Sequence, residues 1–84
     1  MKFKAEIDIM PHKALLDPQG KAVSQSMQNL QLPEITNVRI GKHITLEVDA
    51  PSRNEAETKV KEACTRLLAN PIMEFFEFTI AELN

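Results

Sequence analysis

Aromatic side chains are scarce in this sequence: 84 residues hold four phenylalanines and no tryptophan or tyrosine. Modules that bind single-stranded nucleic acid stack bases on exposed aromatics and carry a basic stripe. Here the net charge is -2 and no basic stripe exists, so nucleic acid is not an expected partner. A single cysteine, Cys64, cannot close an intrachain disulfide, which suits a reducing compartment and an expected cytoplasmic location. No apolar stretch approaches the ~20 residues of a bilayer span. Residues 1–15, interrupted by Lys2, Lys4, Glu6 and Asp8, hold no apolar leader core, so a membrane is not an expected partner either. With two glycines in all, a phosphate-cradling loop has little to be built from; Gly41-Lys42 is too short a signal, and Gly20 stands alone. Low-complexity tracts and solenoid repeats are missing too.

What remains is the pattern of one small α+β domain covering residues 1–84. A chain of this size buries only roughly 60–65% of the surface that its unfolded form exposes, so cover from partners would add stability. Phe3, Ala5, Ile7 and Ile9 alternate with Lys4, Glu6 and Asp8, a half-buried strand that Pro11 stops. Asp17-Pro18 reads as a helix start, a capping carboxylate followed by a proline that loses no hydrogen bond. Beyond it, Ala22, Val23, Ser26, Met27 and Leu30 share one face. Gly20 weakens the first turn by roughly 1 kcal/mol relative to alanine. Its missing side chain points to close approach by another backbone, expected to be a partner's.

Two strands, Ile35–Ile40 and Ile44–Val48, are expected on either side of a tight hairpin at Gly41-Lys42. Ser52-Arg53-Asn54-Glu55 fits a capping box. The helix after it places Ala56, Val60, Ala63, Cys64, Leu67 and Leu68 on one arc. Glu55–Lys59, Glu57–Lys61 and Glu62–Arg66 are spaced for i,i+4 ion pairs, and Asn70-Pro71 ends the helix. Residues 72–80 read as a last strand, with Ile72, Phe76, Phe78 and Ile80 on one side and Met73 and Phe75 on the other. A strand apolar on both sides needs cover on both sides. The order βαββαβ predicts a ferredoxin-like domain: a four-stranded antiparallel sheet, both helices on one face, and the second face completed in an oligomer.

No constellation of catalytic residues emerges. His12 and His43 lie at loop or hairpin positions and read as solvated, and Cys64 lies on an apolar arc without a cation to lower its pKa. The loop Met10-Pro11-His12-Lys13 lacks the paired thiols of metal-transport modules of this shape. No catalytic, metal or cofactor-binding residue is therefore expected.

Three stretches at element boundaries carry more information: Leu16-Asp17-Pro18-Gln19-Gly20-Lys21-Ala22-Val23, Asn37-Val38-Arg39-Ile40-Gly41-Lys42, and Leu67-Leu68-Ala69-Asn70-Pro71. In this order they resemble the small subunit of phosphoribosylformylglycinamidine synthase, the PurS family. The resemblance weakens over Met10 to Leu15 and after Phe78. It implies a subunit without catalytic residues in an ATP- and glutamine-dependent ligase of purine biosynthesis. Its partners would be a large synthetase subunit, which would carry ATP and magnesium, a glutaminase subunit, and further copies of itself in a dimer or tetramer. The candidate interface residues are Asp17, Gln19, Gly20, Arg39, Lys42, Met73 and Phe75. The alternative is a ligand-sensing domain of the ACT type, which shares the βαββαβ order but usually carries a glycine at the first strand-to-helix turn.

Overall fold

The computed structural model describes residues 1–13 and 17–83, so Leu16, at the head of the first stretch, lies outside the described residues. Three strands form one antiparallel sheet: β1 (Lys2–Pro11), β2 (Lys42–Asp49) and β3 (Glu74–Leu83), in the order β2-β1-β3. Ile7 of β1 lies opposite Ile44 of β2 and Phe78 of β3, and Ala5 lies opposite Leu46 and Ile80. The alternation read from residues 3–9 is real: Phe3, Ala5, Ile7 and Ile9 are buried and the residues between them are exposed.

Helix α2 (Arg53–Ala63) crosses this apolar face and joins β2 to β3. Ser52 caps it, its hydroxyl accepting the Glu55 N–H at 3.3 Å. Ala56, Val60 and Cys64 point into the core, with Ala50, Ala69 and Ile80 around them. The helix ends in one π-helical turn, Cys64–Leu68, in which Ala69 N–H donates to Cys64 O at 2.9 Å. Glu62–Arg66 forms at 2.9 Å as its spacing predicts, whereas Glu57 pairs backwards with Arg53 at 3.3 Å.

The sheet has three strands among the described residues rather than four. The chain follows the βαββαβ order, but residues 35–40 stand in the place of the second strand without pairing. The cause is local. Asn37 takes a left-handed φ of 57°, which interrupts an extended run. Side chains then take the donors that a sheet partner would use: Val38 N–H goes to Ser24 Oγ at 3.1 Å and Ile40 N–H to Asp17 Oδ2 at 3.0 Å. No tight hairpin forms at Gly41-Lys42, because Lys42 already opposes Ile9 in β2.

The expectation of two helices on one face also fails. Helix α1 (Pro18–Asn29) packs extensively on none of the strands and not on α2. Of its residues only Gly20 is buried; Val23 and Met27 are half-buried, and Leu30, just past its end, is 67% exposed. The radius of gyration is accordingly 16.6 Å, against about 12 Å for a compact domain of this length.

The last strand starts at Glu74, later than expected, because a turn at Asn70 intervenes: Met73 N–H and Glu74 N–H both donate to Asn70 O, at 3.0 and 2.7 Å. Met73 and Ile72 therefore precede the strand. The open face is mostly polar, as suits an antiparallel sheet facing water. Lys2 reaches Glu47 at 3.6 Å and His43 Nδ1 meets Asp8 at 2.7 Å, with Phe75 among the few apolar groups there.

Candidate partner-binding surface

One end of the sheet gathers the residues that the sequence singled out. There β1 ends at Pro11, β2 begins at Lys42 and β3 begins at Glu74, while α1 starts alongside. Asp17 organises this end. Its Oδ1 accepts Gly20 N–H at 3.0 Å, which caps the helix, and its Oδ2 accepts Ile40 N–H at 3.0 Å. These two backbone donors, and then the nearby Arg39 charge, hold the Asp17 carboxyl below its ordinary pKa.

Arg39 fastens the same region from the other side. Its terminal nitrogens donate to Pro11 O, His12 O and Lys13 O at 3.2, 2.9 and 3.4 Å, so one planar guanidinium ties down the end of β1 and the loop after it. Its Nε faces Asp17 Oδ2 at 3.5 Å as a charge contact; the atom is buried and makes no hydrogen bond among the described residues.

Gly20 is required by the close approach of a backbone, as its place in the first turn suggested, but the neighbour is the chain's own. A methyl group there would collide with Val38 O and lie 2.7 Å from Asp17 Oδ2. Asp17, Gly20, Ser24 and Arg39 thus bind α1 to residues 38–40 within one chain.

Outside this knot lies a cleft of about 390 Å³, lined by Asp17, Pro18, Gln19, Ile40, Met73 and Glu74 among others. Glu74 Oε2 faces Lys42 Nζ at 3.6 Å, and its Oε1 accepts Asn70 N–H at 2.9 Å. Beyond Met73, His12 N–H donates to Met73 O at 2.9 Å, and the His12 ring tilts against Phe75 at 5.9 Å between centroids. All seven candidate residues therefore converge on one end of the molecule. Gln19, Lys42, Met73 and Phe75 present side chains outward, whereas Asp17, Gly20 and Arg39 work largely inside the chain. Ser24 and Glu74 were missed. A serine and a glutamate on amphipathic elements look like solvated positions, and only the fold reveals what each accepts.

Nucleophilic chemistry has no foothold at Cys64. The residue is fully buried, and burial pushes its thiol pKa up. Among the described residues no three His, Cys, Asp or Glu side chains are grouped to hold a metal, and no helix is long and apolar enough to cross a membrane.

A family model described as PurS, phosphoribosylformylglycinamidine (FGAM) synthase, matches residues 4–82, nearly the whole chain. The chain belongs to the PurS family. The PurS subunit of Bacillus subtilis is 32% identical over 81 residues, covering 96% of this chain and 95% of that one. The Thermotoga maritima PurS subunit is 35% identical over 75 residues, covering 89% and 92%. Among solved structures, the PurS crystal structure from B. subtilis superposes with a TM-score of 0.85, covering 95% of this chain and 99% of that one. A chain of the T. maritima PurLQS structure superposes with a TM-score of 0.87 at 32% identity, covering 96% and 99%. The ACT-type alternative gains no support from the matching family or from these relatives.

Proposed function

We propose that this chain is the PurS subunit of FGAM synthase, a component without its own active site in the ligase that converts formylglycinamide ribonucleotide to its amidine. The observation that carries the reading is the end-to-end likeness to a chain of an assembled PurLQS structure. The bridging mechanism rests on proximity. Ammonia released by a glutaminase subunit must reach a synthetase subunit before bulk water dilutes it. A bridging subunit that holds the two together converts that transfer into a local one at high effective concentration. ATP and magnesium belong on the synthetase subunit, and the assembly would work in the cytoplasm. The outward side chains Gln19, Lys42, Met73 and Phe75 form the docking end, with Asp17, Gly20 and Arg39 holding it in shape. The subunit itself is a homodimer or a higher even oligomer, which gives α1 the cover it lacks within the chain.

Assembly is tested by size-exclusion chromatography of the three subunits mixed with glutamine and nucleotide. The expected result is a complex that contains all three and dissociates when this chain is withheld. A stable synthetase–glutaminase complex formed equally well without it would defeat the bridging reading. Replacing Lys42 and Phe75 together, K42E/F75D, is expected to remove this chain from the complex.

A further inference from the structure

Of the four outward side chains at the docking end, Met73 and Phe75 are the apolar ones, and both are exposed. An exposed side chain that must be fixed on docking loses rotamer freedom, and that loss weakens binding. A docking surface therefore gains when its anchors are already held in place. His12, whose loop position makes it look solvated, meets both anchors. Its backbone N–H donates to Met73 O at 2.9 Å, which carries the β1–β3 pairing one step past Pro11 and Glu74. Its ring tilts against Phe75 at 5.9 Å and 32°, and Met10 lies opposite Phe75 across the same pair. The ring Nε2 lies 3.3 Å from Pro71 O; a carbonyl only accepts, so Nε2 carries the hydrogen in that contact. The His12 carbonyl in turn accepts from Arg39 at 2.9 Å.

We propose that His12 is a positioning residue of the docking end: its ring presets Phe75 and the turn that carries Met73 for a larger synthase subunit. The inference rests on the reading of this end as the docking surface and names the residue that orders it. Any residue at position 12 could make the backbone bond to Met73 O. The imidazole adds two things that few side chains combine, a flat face for Phe75 and an N–H that reaches the next turn. Arg39 makes the placement rigid. Its guanidinium holds Pro11 O, His12 O and Lys13 O, and Asp17 holds the neighbouring Ile40 N–H, so His12 is tied to the same knot that carries α1. From the other side Glu74 braces the turn by accepting Asn70 N–H at 2.9 Å. The turn is thus gripped twice, and the His12 ring is the grip that can be removed while the backbone knot stays in place.

The test measures binding of the full chain to the two larger synthase subunits, mixed with glutamine and nucleotide, by competition with fluorescently labelled wild-type chain. A wild-type chain that does not bind, or an F75A chain that binds as well as wild type, defeats the docking-end reading and this inference with it. Where F75A weakens binding, H12A is expected to weaken it about tenfold, and H12Q, which keeps a donor at the reach of Nε2, to recover part of that loss. The double variant H12A/F75A should bind within about threefold of F75A, because little is left to position once the phenyl ring is gone. I7V, a change in the buried core, should lower the Tm without weakening binding, which separates lost stability from lost positioning. An H12A chain that binds like wild type overturns the proposal while leaving the docking-end reading intact. So does an H12A loss that simply multiplies the F75A loss in the double variant, the behaviour of an independent contact. An H12Q chain no better than H12A, or an I7V chain weakened as much as H12A, also overturns it.

Discussion

Replacing Gly20 by alanine tests the knot at the end of the sheet, because two effects of opposite sign compete there. At an exposed position in a helix the change stabilises, since alanine is the better helix former by about 1 kcal/mol. At Gly20 the new methyl would collide with Val38 O, a backbone atom, and crowd the Asp17 carboxylate at 2.7 Å. Forcing an extra methyl into a filled space costs about 1–3 kcal/mol, and a backbone obstacle puts this case toward the upper end. The net expectation is a loss of about 1–2 kcal/mol. A domain of this size shifts its Tm by about 4–8 °C per kcal/mol, so Tm should fall by roughly 5–15 °C. Circular dichroism melts at matched concentration provide the measurement, with Q25A on the exposed side of α1 as a control for helix propensity. A Gly20→Ala protein with unchanged or raised Tm would refute the close approach.

Phe3 is the largest side chain of the buried core; Phe3→Ala should remove about 3–5 kcal/mol and lower the urea midpoint accordingly, whereas F75A on the open face should shift it little. Asp17 gives the acid limb of stability a defined sign. Its folded pKa lies below the ordinary 3.8, so the stability it contributes is present above that pH and is lost as pH falls through the folded value. An Asp17→Asn protein should show a shallower fall in stability below pH 4, measured by urea melts across the acid range, and an unchanged acid limb would count against the carboxylate's role. Cys64 should resist iodoacetamide in the folded protein and react once it is unfolded, as followed by mass spectrometry; rapid labelling under native conditions would contradict its burial.

Local signals in the sequence translated directly into structure. The alternation over residues 3–9 placed β1, Asp17-Pro18 placed the start of α1, and Ser52 placed that of α2. The misreadings arose where a segment's fate depends on residues far along the chain. Ile35 to Ile40 has the composition of a strand, but periodicity carries no sign of the left-handed turn at Asn37, nor of Ser24 and Asp17 reaching across to take its donors. The apolar stripe of α1 was visible, yet a stripe does not say which surface covers it, and among the described residues no strand and not α2 packs on it extensively. The candidate interface residues lie together at one end of the sheet. Gly20 showed that a backbone must lie close, but the backbone expected from a partner is the chain's own at Val38, and the Glu74 contact with Lys42 left no trace in the sequence because both residues look solvated in isolation.

The bridging role is tested most directly by amidine formation measured with the two larger synthase subunits, with and without this chain, under two nitrogen sources. With glutamine, omission of the chain should abolish synthesis, because ammonia is then released away from the synthetase. With excess added ammonia, much of the rate should survive the omission, because the reacting groups lie on another subunit. Equal glutamine-dependent rates with and without the chain would contradict the account, as would an ammonia-driven reaction that fails completely when the chain is absent.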